Sequence, residues 1–419
     1  MPVRGQIVAM SVVLGALAVG LAPSIHAENW TRFRGPNGNG IATSVSFPAT
    51  WTNDDYLWKI DLPGVGHSSP VGWGDRLFVT TGDTETGDIT LHALSPSTGA
   101  QQWQQVFDGN TYAMHAGNSY ASSTPAVDEH HVYFAWSAGG RLHCAALGHD
   151  GNEIWRTELG DFIGPHGFAA SPMVVEGVVC VQVDHADAGY LIGIDAQSGE
   201  VRWRADRPAG KASYATPCVL PRGETGDAVV ISQSMEGGLQ LIDALTGTVV
   251  WQNATAFPAR CVSSPMLVGE TLVSICGGGG RGKLLVGMDV SAGPTQPTEK
   301  LTLTKQLPYV PTPLRVGNRA LLWLDQGMVS MVDLSANGPP KKAVWTERVG
   351  GKFFGSPILA GDKVYCLSMD GRAVVIAADD EFELLGDNDL GHPSNATPAV
   401  HQDRLYLRTE STLACLGQE

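Results

Sequence analysis

Basic side chains recur at one offset along this chain. His166, Lys211, Arg260, Lys352 and His392 each stand five or six residues before a Pro that follows Ser or Thr. His67 and His115 occupy the equivalent approach segments of their own repeats. The chain as a whole is acidic, with 27 Lys+Arg against 42 Asp+Glu and a net charge of −15, so this run of bases is unexpected. Side chains of this type, converged on a concave surface, focus a positive potential and collect an anion. Scattered over connecting loops, they are only solvated. Histidines at such a site gain charge toward pH 6. Binding is therefore expected to strengthen on mild acidification and to weaken with salt.

Other motifs are weaker. Asp184-His185-Ala186-Asp187 has metal-ligand residue types, but a metal site needs several converging ligands. Its position between two strand-like runs predicts a solvated loop and no metal. Gly277-Gly278-Gly279-Gly280-Arg281-Gly282-Lys283 suggests a phosphate loop, yet it lacks the strand–loop–helix context and the Lys-Ser/Thr ending. A loop between strands is expected there. No Ser-nucleophile motif or paired carboxylates stand out, so no catalytic residue is assigned. The seven cysteines, Cys144, Cys180, Cys218, Cys261, Cys276, Cys366 and Cys415, have no CxxC spacing. Most lie in β-type apolar runs and are expected as buried thiols. Cys218 and Cys261 are the pair to watch if an oxidising compartment forms a disulfide, and the odd count leaves one thiol over.

The elements that position these residues follow from a repeat. Ser/Thr-Pro recurs eight times, at Pro70, Pro125, Pro172, Pro217, Pro265, Pro313, Pro357 and Pro398, separated by 55, 47, 45, 48, 48, 44 and 41 residues. Each copy precedes a strand-like run, a Gly- or Asp-containing turn and a second run. A tight turn and a Trp follow, clearest in Asp195-Ala-Gln-Ser-Gly-Glu-Val-Arg-Trp203 and Asp243-Ala-Leu-Thr-Gly-Thr-Val-Val-Trp251. The Asp caps turn N–H groups and the Gly takes positive φ. The Trp offers a large plate to the next unit, a role assigned to Trp58, Trp103, Trp155, Trp203, Trp251 and Trp345. Pro starts an inner strand, where its missing N–H is tolerated.

This period suits one propeller blade per unit. The predicted fold is all-β, an eight-bladed β-propeller of four-stranded antiparallel blades. The eighth unit, Asn395 to Leu416, stops after its third strand, while Tyr56-Leu-Trp58-Lys-Ile-Asp-Leu resembles an orphan outer strand. That N-terminal strand is expected to complete the last blade and to remove the ring's open edges. The outer strands of blades five and seven, Thr298–Thr304 and Glu383–Gly386, lack the Trp.

Upstream, Arg4 and the apolar run Ile7–Leu21 read as an export signal with a cleavage point after Ala27. The expected organisation is signal peptide 1–27, leader 28–50 and a single propeller 51–419, placed in the periplasm or outside the cell. The acidic balance argues against nucleic acid, and no segment after the signal is long and apolar enough to enter a membrane.

The Asp-x-x-Ser/Thr-Gly-x-x-x-Trp unit resembles the PQQ-like repeat family across roughly residues 51–417. The opening Asn29-Trp30-Thr-Arg-Phe33-Arg34-Gly35-Pro36-Asn37-Gly38-Asn39-Gly40 is similar to the leader of many exported members. The family includes quinoprotein alcohol dehydrogenases and the propeller lipoprotein of the outer-membrane barrel-assembly machinery. In the dehydrogenases the resemblance implies PQQ at the central channel, stacked on a Trp and an adjacent-cysteine disulfide, with Ca²⁺ or a lanthanide as Lewis acid. This chain departs there, having no Cys-Cys, and its residues match neither the metal ligands nor the base. The reading is thus a non-catalytic binding or scaffold propeller without cofactor, taking a protein partner or a small anionic ligand at a channel mouth lined by His, Lys and Arg. The alternative is a PQQ-dependent dehydrogenase, and the third is a polysaccharide-acting hydrolase or lyase.

Overall fold

β-branched runs separated by Gly and Asp turns pair with their sequence neighbours, so the sheets are antiparallel and locally connected. The computed structural model describes residues 1, 29–42, 45–162, 164, 166–208, 210–220, 228–253 and 257–417. The expected signal segment beyond Met1, and its cleavage point, lie outside the described residues.

Eight sheets form the eight blades. Their inner strands begin directly after the Ser/Thr-Pro prolines: Val71–Trp73, Ala126–Val127, Met173–Val175, Cys218–Leu220, Met266–Val268, Leu314–Val316, Ile358–Ala360 and Ala399–His401. Two middle strands and an outer strand follow in each of blades one to seven. Trp58–Asp61 pairs antiparallel with Thr412–Gly417, setting Trp58 opposite Cys415, and so supplies the outer strand of blade eight. The outer strands without Trp form as well, at Thr298–Leu303 and Leu384–Asp389.

The core lies at the seams between blades. Val79 of blade one, for example, belongs to the same buried cluster as Tyr406 of blade eight and Tyr365 of blade seven. The tryptophans lock these seams. Trp58 Nε1 donates to Pro96 O at 3.0 Å, Trp103 to His149 O at 2.9 Å, Trp155 to Ala196 O at 3.0 Å and Trp203 to Ala244 O at 2.9 Å. Each acceptor belongs to the tight turn of the following blade. Trp345 makes the same bond more loosely, to Asp379 O at 3.3 Å, and Trp251 is partly buried between blades four and five. The repeat glycine is explained by this contact. A Cβ on Gly199 would lie 2.7 Å from the Trp155 ring, and φ there is +76°. The repeat aspartate is explained by its turn: Asp195 Oδ1 accepts from Gln197 N at 2.9 Å and Ser198 N at 2.7 Å. These bonds, with Arg202, hold its carboxyl near about 2.

Burial corrects one expectation and bears out another. Asp184 and His185 are not in a solvated loop. Asp184 closes a bidentate pair with Arg207, Nε to Oδ1 at 2.9 Å and Nη2 to Oδ2 at 2.8 Å, and His185 is buried beside it. Arg207 comes from the outer strand of the same blade and needs a counter-charge in the seam, which the loop reading of the motif could not supply. All seven cysteines are buried free thiols, Cys218 and Cys261 included. Those two share an apolar cluster between blades four and five without being bonded.

Candidate functional site

The Ser or Thr before seven of the eight prolines has a second role. From Thr124 round to Thr397, its hydroxyl accepts the backbone N–H of the corresponding residue one blade earlier. Ser69 N reaches Thr124, and the chain of bonds continues through Ser171, Thr216, Ser264, Thr312 and Ser356 to Thr397, at 2.9–3.2 Å. This belt surrounds the channel and sets where each connecting loop arrives. The recurring dipeptide was visible in the sequence, but its hydroxyl-to-amide bonds link residues more than 40 apart.

Below the belt the channel is filled by the leader. Trp30 O and Thr31 O accept from Gly72 N and Val127 N, both at 2.8 Å, and Gly40 O accepts from Leu359 N at 2.7 Å. Asn37 makes paired bonds with Val219, and Arg34 donates to Pro313 O at 2.8 Å and Pro357 O at 3.4 Å. Arg32 donates to Pro217 O. Ile41–Ala42 then joins blade seven as a parallel strand beside Ile358–Ala360. The leader therefore touches inner strands around most of the ring. Burial pushes the Arg34 guanidinium down to about 9 and Arg32 to about 10. Their partners among the described hydrogen bonds are carbonyls and a methionine sulfur rather than carboxylates.

Above the belt opens a cavity of about 480 Å³ with Phe33 of the leader in its lining. Of the seven bases expected at the mouth, His67, His115, His166 and Arg260 line it. Arg260 Nη1 donates to His166 Nε2 at 2.9 Å, and its guanidinium lies 5.9 Å from the Tyr214 ring centroid. The His115 and His166 rings are 5.1 Å apart. On another wall, Asn395 Nδ2 lies 3.4 Å from His67 Nε2 and donates to Gly117 O at 3.3 Å. The long connection between blades one and two supplies both His115 and Gly117, so it reaches across the mouth. Asn118 on the same segment donates to His166 O.

Lys211, Lys352 and His392 are exposed and do not line the cavity. Lys352 O accepts from Met369 N at 2.8 Å, and His392 O lies against Gly371. Both backbones dock on the hairpin between the middle strands of blade seven, while their side chains face solvent. An equal offset from Pro thus fixed the loop and not the side-chain direction. The cavity residues that sequence reasoning missed are Tyr214, Tyr309, Phe354 and Asn395. Each sits in a segment just before a Ser/Thr-Pro, so reading that window for aromatic and amide residues as well as bases would have found them.

The expected acid-strengthened binding also changes. Burial, and then the Arg408 charge, push His67 down to about 4. Burial, Arg260 and His115 lower His166 as well. His67 therefore gains no charge near pH 6, and His166 is shifted in the same direction. His166 Nε2 already accepts from Arg260, which fits a neutral imidazole. The lining contains no Asp or Glu among the described residues, and Arg260 is its permanent charge.

Comparison with known proteins agrees with this architecture. A family model described as outer membrane protein assembly factor BamB, PQQ_2, matches residues 87–338. The chain belongs to this family. BamB from Moraxella catarrhalis superposes with a TM-score of 0.62 at 14% identity, covering 87% of this chain and 97% of that one. Quinohemoprotein alcohol dehydrogenase from Comamonas testosteroni superposes with a TM-score of 0.63 at 13% identity, covering 93% and 81%. These two likenesses concern the fold. In sequence, quinohemoprotein alcohol dehydrogenase ADH IIB of Pseudomonas putida is 31% identical over 104 residues, which is 24% of this chain and 14% of that protein.

The PQQ_2 fold raises the question of a quinone held by calcium. A hard cation needs several oxygen ligands, carboxylates among them. Here the lining has no carboxylate among the described residues, and a guanidinium stands in the mouth. No described group of three or more His, Cys, Asp or Glu side chains converges as a metal site, and the chain has no adjacent cysteines. The residues present do not fit that cofactor and metal.

Proposed function

We propose that this chain is an exported, non-catalytic binding propeller whose channel mouth receives an anionic group, from a small ligand or from an acidic stretch of a partner protein. The observation that carries the reading is Arg260 in a concave cavity free of carboxylates, within a chain of net charge −15. A cavity with low-dielectric walls focuses such a charge. The family description as an assembly factor supports a protein partner. That description and the N-terminal signal pattern support export, and N-terminal sequencing of exported protein should begin near Glu28; a retained Met1 would refute processing there.

Binding is tested by titrating an acidic peptide into the full chain and into variants. Arg260→Ala should weaken binding at least about tenfold, the scale of one lost charge-assisted contact. Lys211→Ala and Lys352→Ala, outside the cavity, should leave it within about twofold, as exposed charges contribute little. Binding indifferent to Arg260, with unfolding unchanged, would reject the site.

A further inference from the structure

The stretch Gly277-Gly278-Gly279-Gly280-Arg281-Gly282-Lys283 forms the mouth-side hairpin of blade five, where Thr271–Gly277 turns into Gly282–Asp289. It stands at the rim of the cavity. Gly279 and Gly280 line the cavity, and Gly277 N donates to Arg260 O at 2.9 Å. The turn is bare. Gly278 takes no positive φ, and a Cβ on Gly278 or Gly279 would meet nothing within 4 Å. Neither backbone conformation nor packing demands glycine at 278, and the missing side chain leaves the rim low beside the cavity.

Bases flank this low rim. Arg281 and Lys283 are exposed on the hairpin itself, and Lys305 is exposed on the connection to blade six. The pairing of Leu285 with Leu303, and the bond from Gly282 N to Leu307 O at 3.1 Å, run the backbones of Lys283 and Lys305 side by side. Blade six adds the exposed Arg348, which donates to Gln326 O at 3.2 Å. A Cβ on Gly280 would lie 3.5 Å from Gln326 Nε2, so the hairpins of the two blades adjoin. None of these bases has a carboxylate partner among the described residues. By contrast, Arg141 on blade two is held by Glu158 and Asp161, Arg204 on blade three by Asp206, and Arg372 on blade seven by Asp370 and Asp387. Asp325 in the blade-six hairpin is buried and accepts from Tyr309 N at 2.7 Å and Val310 N at 3.3 Å. Glu347 alternates to the other side of its strand from Arg348. Like charges set side by side repel. In a chain of net charge −15, such a sector beside a cavity is a local positive field that attracts an anionic partner.

The cavity and the sector ask for different chemistries in one ligand. Phe33, Val262, Val310 and Phe354 in the cavity wall suit an apolar side chain. The sector suits a run of carboxylates. An acidic polypeptide can carry both, whereas a polyanionic sugar lacks the apolar side chain. We infer that the mouth anchors an apolar side chain of a partner polypeptide, whose acidic flank leaves over Gly278 and lies on Arg281, Lys283, Lys305 and Arg348. This rests on the anion-binding reading above and gives it a partner and a route.

The test is titration of the full chain, in about 0.1 M salt where the Debye length is about 10 Å, with a fluorescent, end-capped peptide holding one Phe within a run of Glu. The peptide should bind. Arg281→Glu with Lys283→Glu should weaken binding at least about tenfold, because the local field changes sign. Lys341→Glu with Lys342→Glu makes the same change in net charge at exposed positions on the opposite face, and should leave binding within about twofold, because distant exposed charges are screened. Gly278→Glu, which its backbone and open surroundings tolerate, should weaken binding too. Replacing Phe by Ser in the peptide should weaken it at least about tenfold, the scale of a buried aromatic side chain. Variants are compared at matched unfolding temperature; should the hairpin pair unfold, Lys305→Glu with Arg348→Glu is read in its place. Equal weakening by the two paired reversals overturns the inference, because net charge alone is then acting. A Ser peptide that binds as well as the Phe peptide overturns it by removing the anchor. Binding that needs Arg260 but ignores the reversal at Arg281 and Lys283 overturns the route and leaves the anion-binding reading standing. Dextran sulfate that binds through the sector while the peptide does not assigns the surface to an anionic polysaccharide and overturns the inference as well. Absence of binding by either probe overturns both readings.

Discussion

At the scale of residues, buried charge and displaced titration govern behaviour. Arg207 is held in the seam by Asp184, with Ser232 at 2.6 Å from Nη1 and Gln182 joining through Ser232 and Asp184. Removing one partner strands the other in a low-dielectric site. Asp184→Ala should therefore destabilise the fold by about 3–5 kcal/mol, read by denaturant unfolding. A loss within error would show that the pair is solvated in practice. His67 gives a pH dependence with a definite sign. Its folded pKa, about 4, lies below the ordinary imidazole value of 6.5 because burial, and then the Arg408 charge, disfavour the charged ring. As pH falls through that window the unfolded chain takes up the proton first, so stability is present above about 6.5 and is lost toward about 4. Thermal unfolding followed over this range should decline, and His67→Gln should flatten the decline. An unchanged slope would mean that His67 is protonated in the fold.

At the scale of the element, the blade is stabilised by what it presents to its neighbour. Trp203 is buried with its N–H paired to Ala244 O, whereas Trp345 is less buried and its bond to Asp379 O is longer. Truncating the first to Ala should cost about 3–5 kcal/mol, the usual range for a buried aromatic. Truncating the second should cost less. Equal costs in urea unfolding would contradict the seam model. The repeat was readable in sequence because each of its parts serves a local need: Asp195 caps its own turn, Gly199 has positive φ, and Pro172 opens an inner strand. The direction of loop side chains was not readable. Arg260 and Lys352 hold the same offset from their prolines, yet one enters the cavity and the other faces water, because the loop's path depends on the neighbouring hairpin.

At the scale of the molecule, two N-terminal pieces complete the ring, one at its edge and one on its axis. Removing residues 51–62 should open blade eight and expose an unpaired strand edge, lowering the unfolding temperature of the whole ring and promoting association. An unaltered monomer would reject closure through Trp58–Asp61. The leader acts differently: Arg32 and Arg34 fill the axis by donating to carbonyls of several inner strands.

The sequence alone determined the architecture. A period of 41–55 residues carrying Ser/Thr-Pro, a capped turn and a Trp admits one blade per unit, and the missing last strand had a visible counterpart near Trp58. It also located the approach loops, since their position is set by the prolines. Only the tertiary structure decided which of their side chains meet. His67, His115, His166 and Arg260 lie 48 to 94 residues apart in successive steps, and their convergence with Asn395 follows from ring closure. The same holds for the leader, whose arginines fill the axis by donating to carbonyls of inner strands far away in sequence. Local pattern fixes a strand, a turn or a loop through contacts within the segment. A shared cavity depends on contacts between segments, and these exist only once the ring has closed.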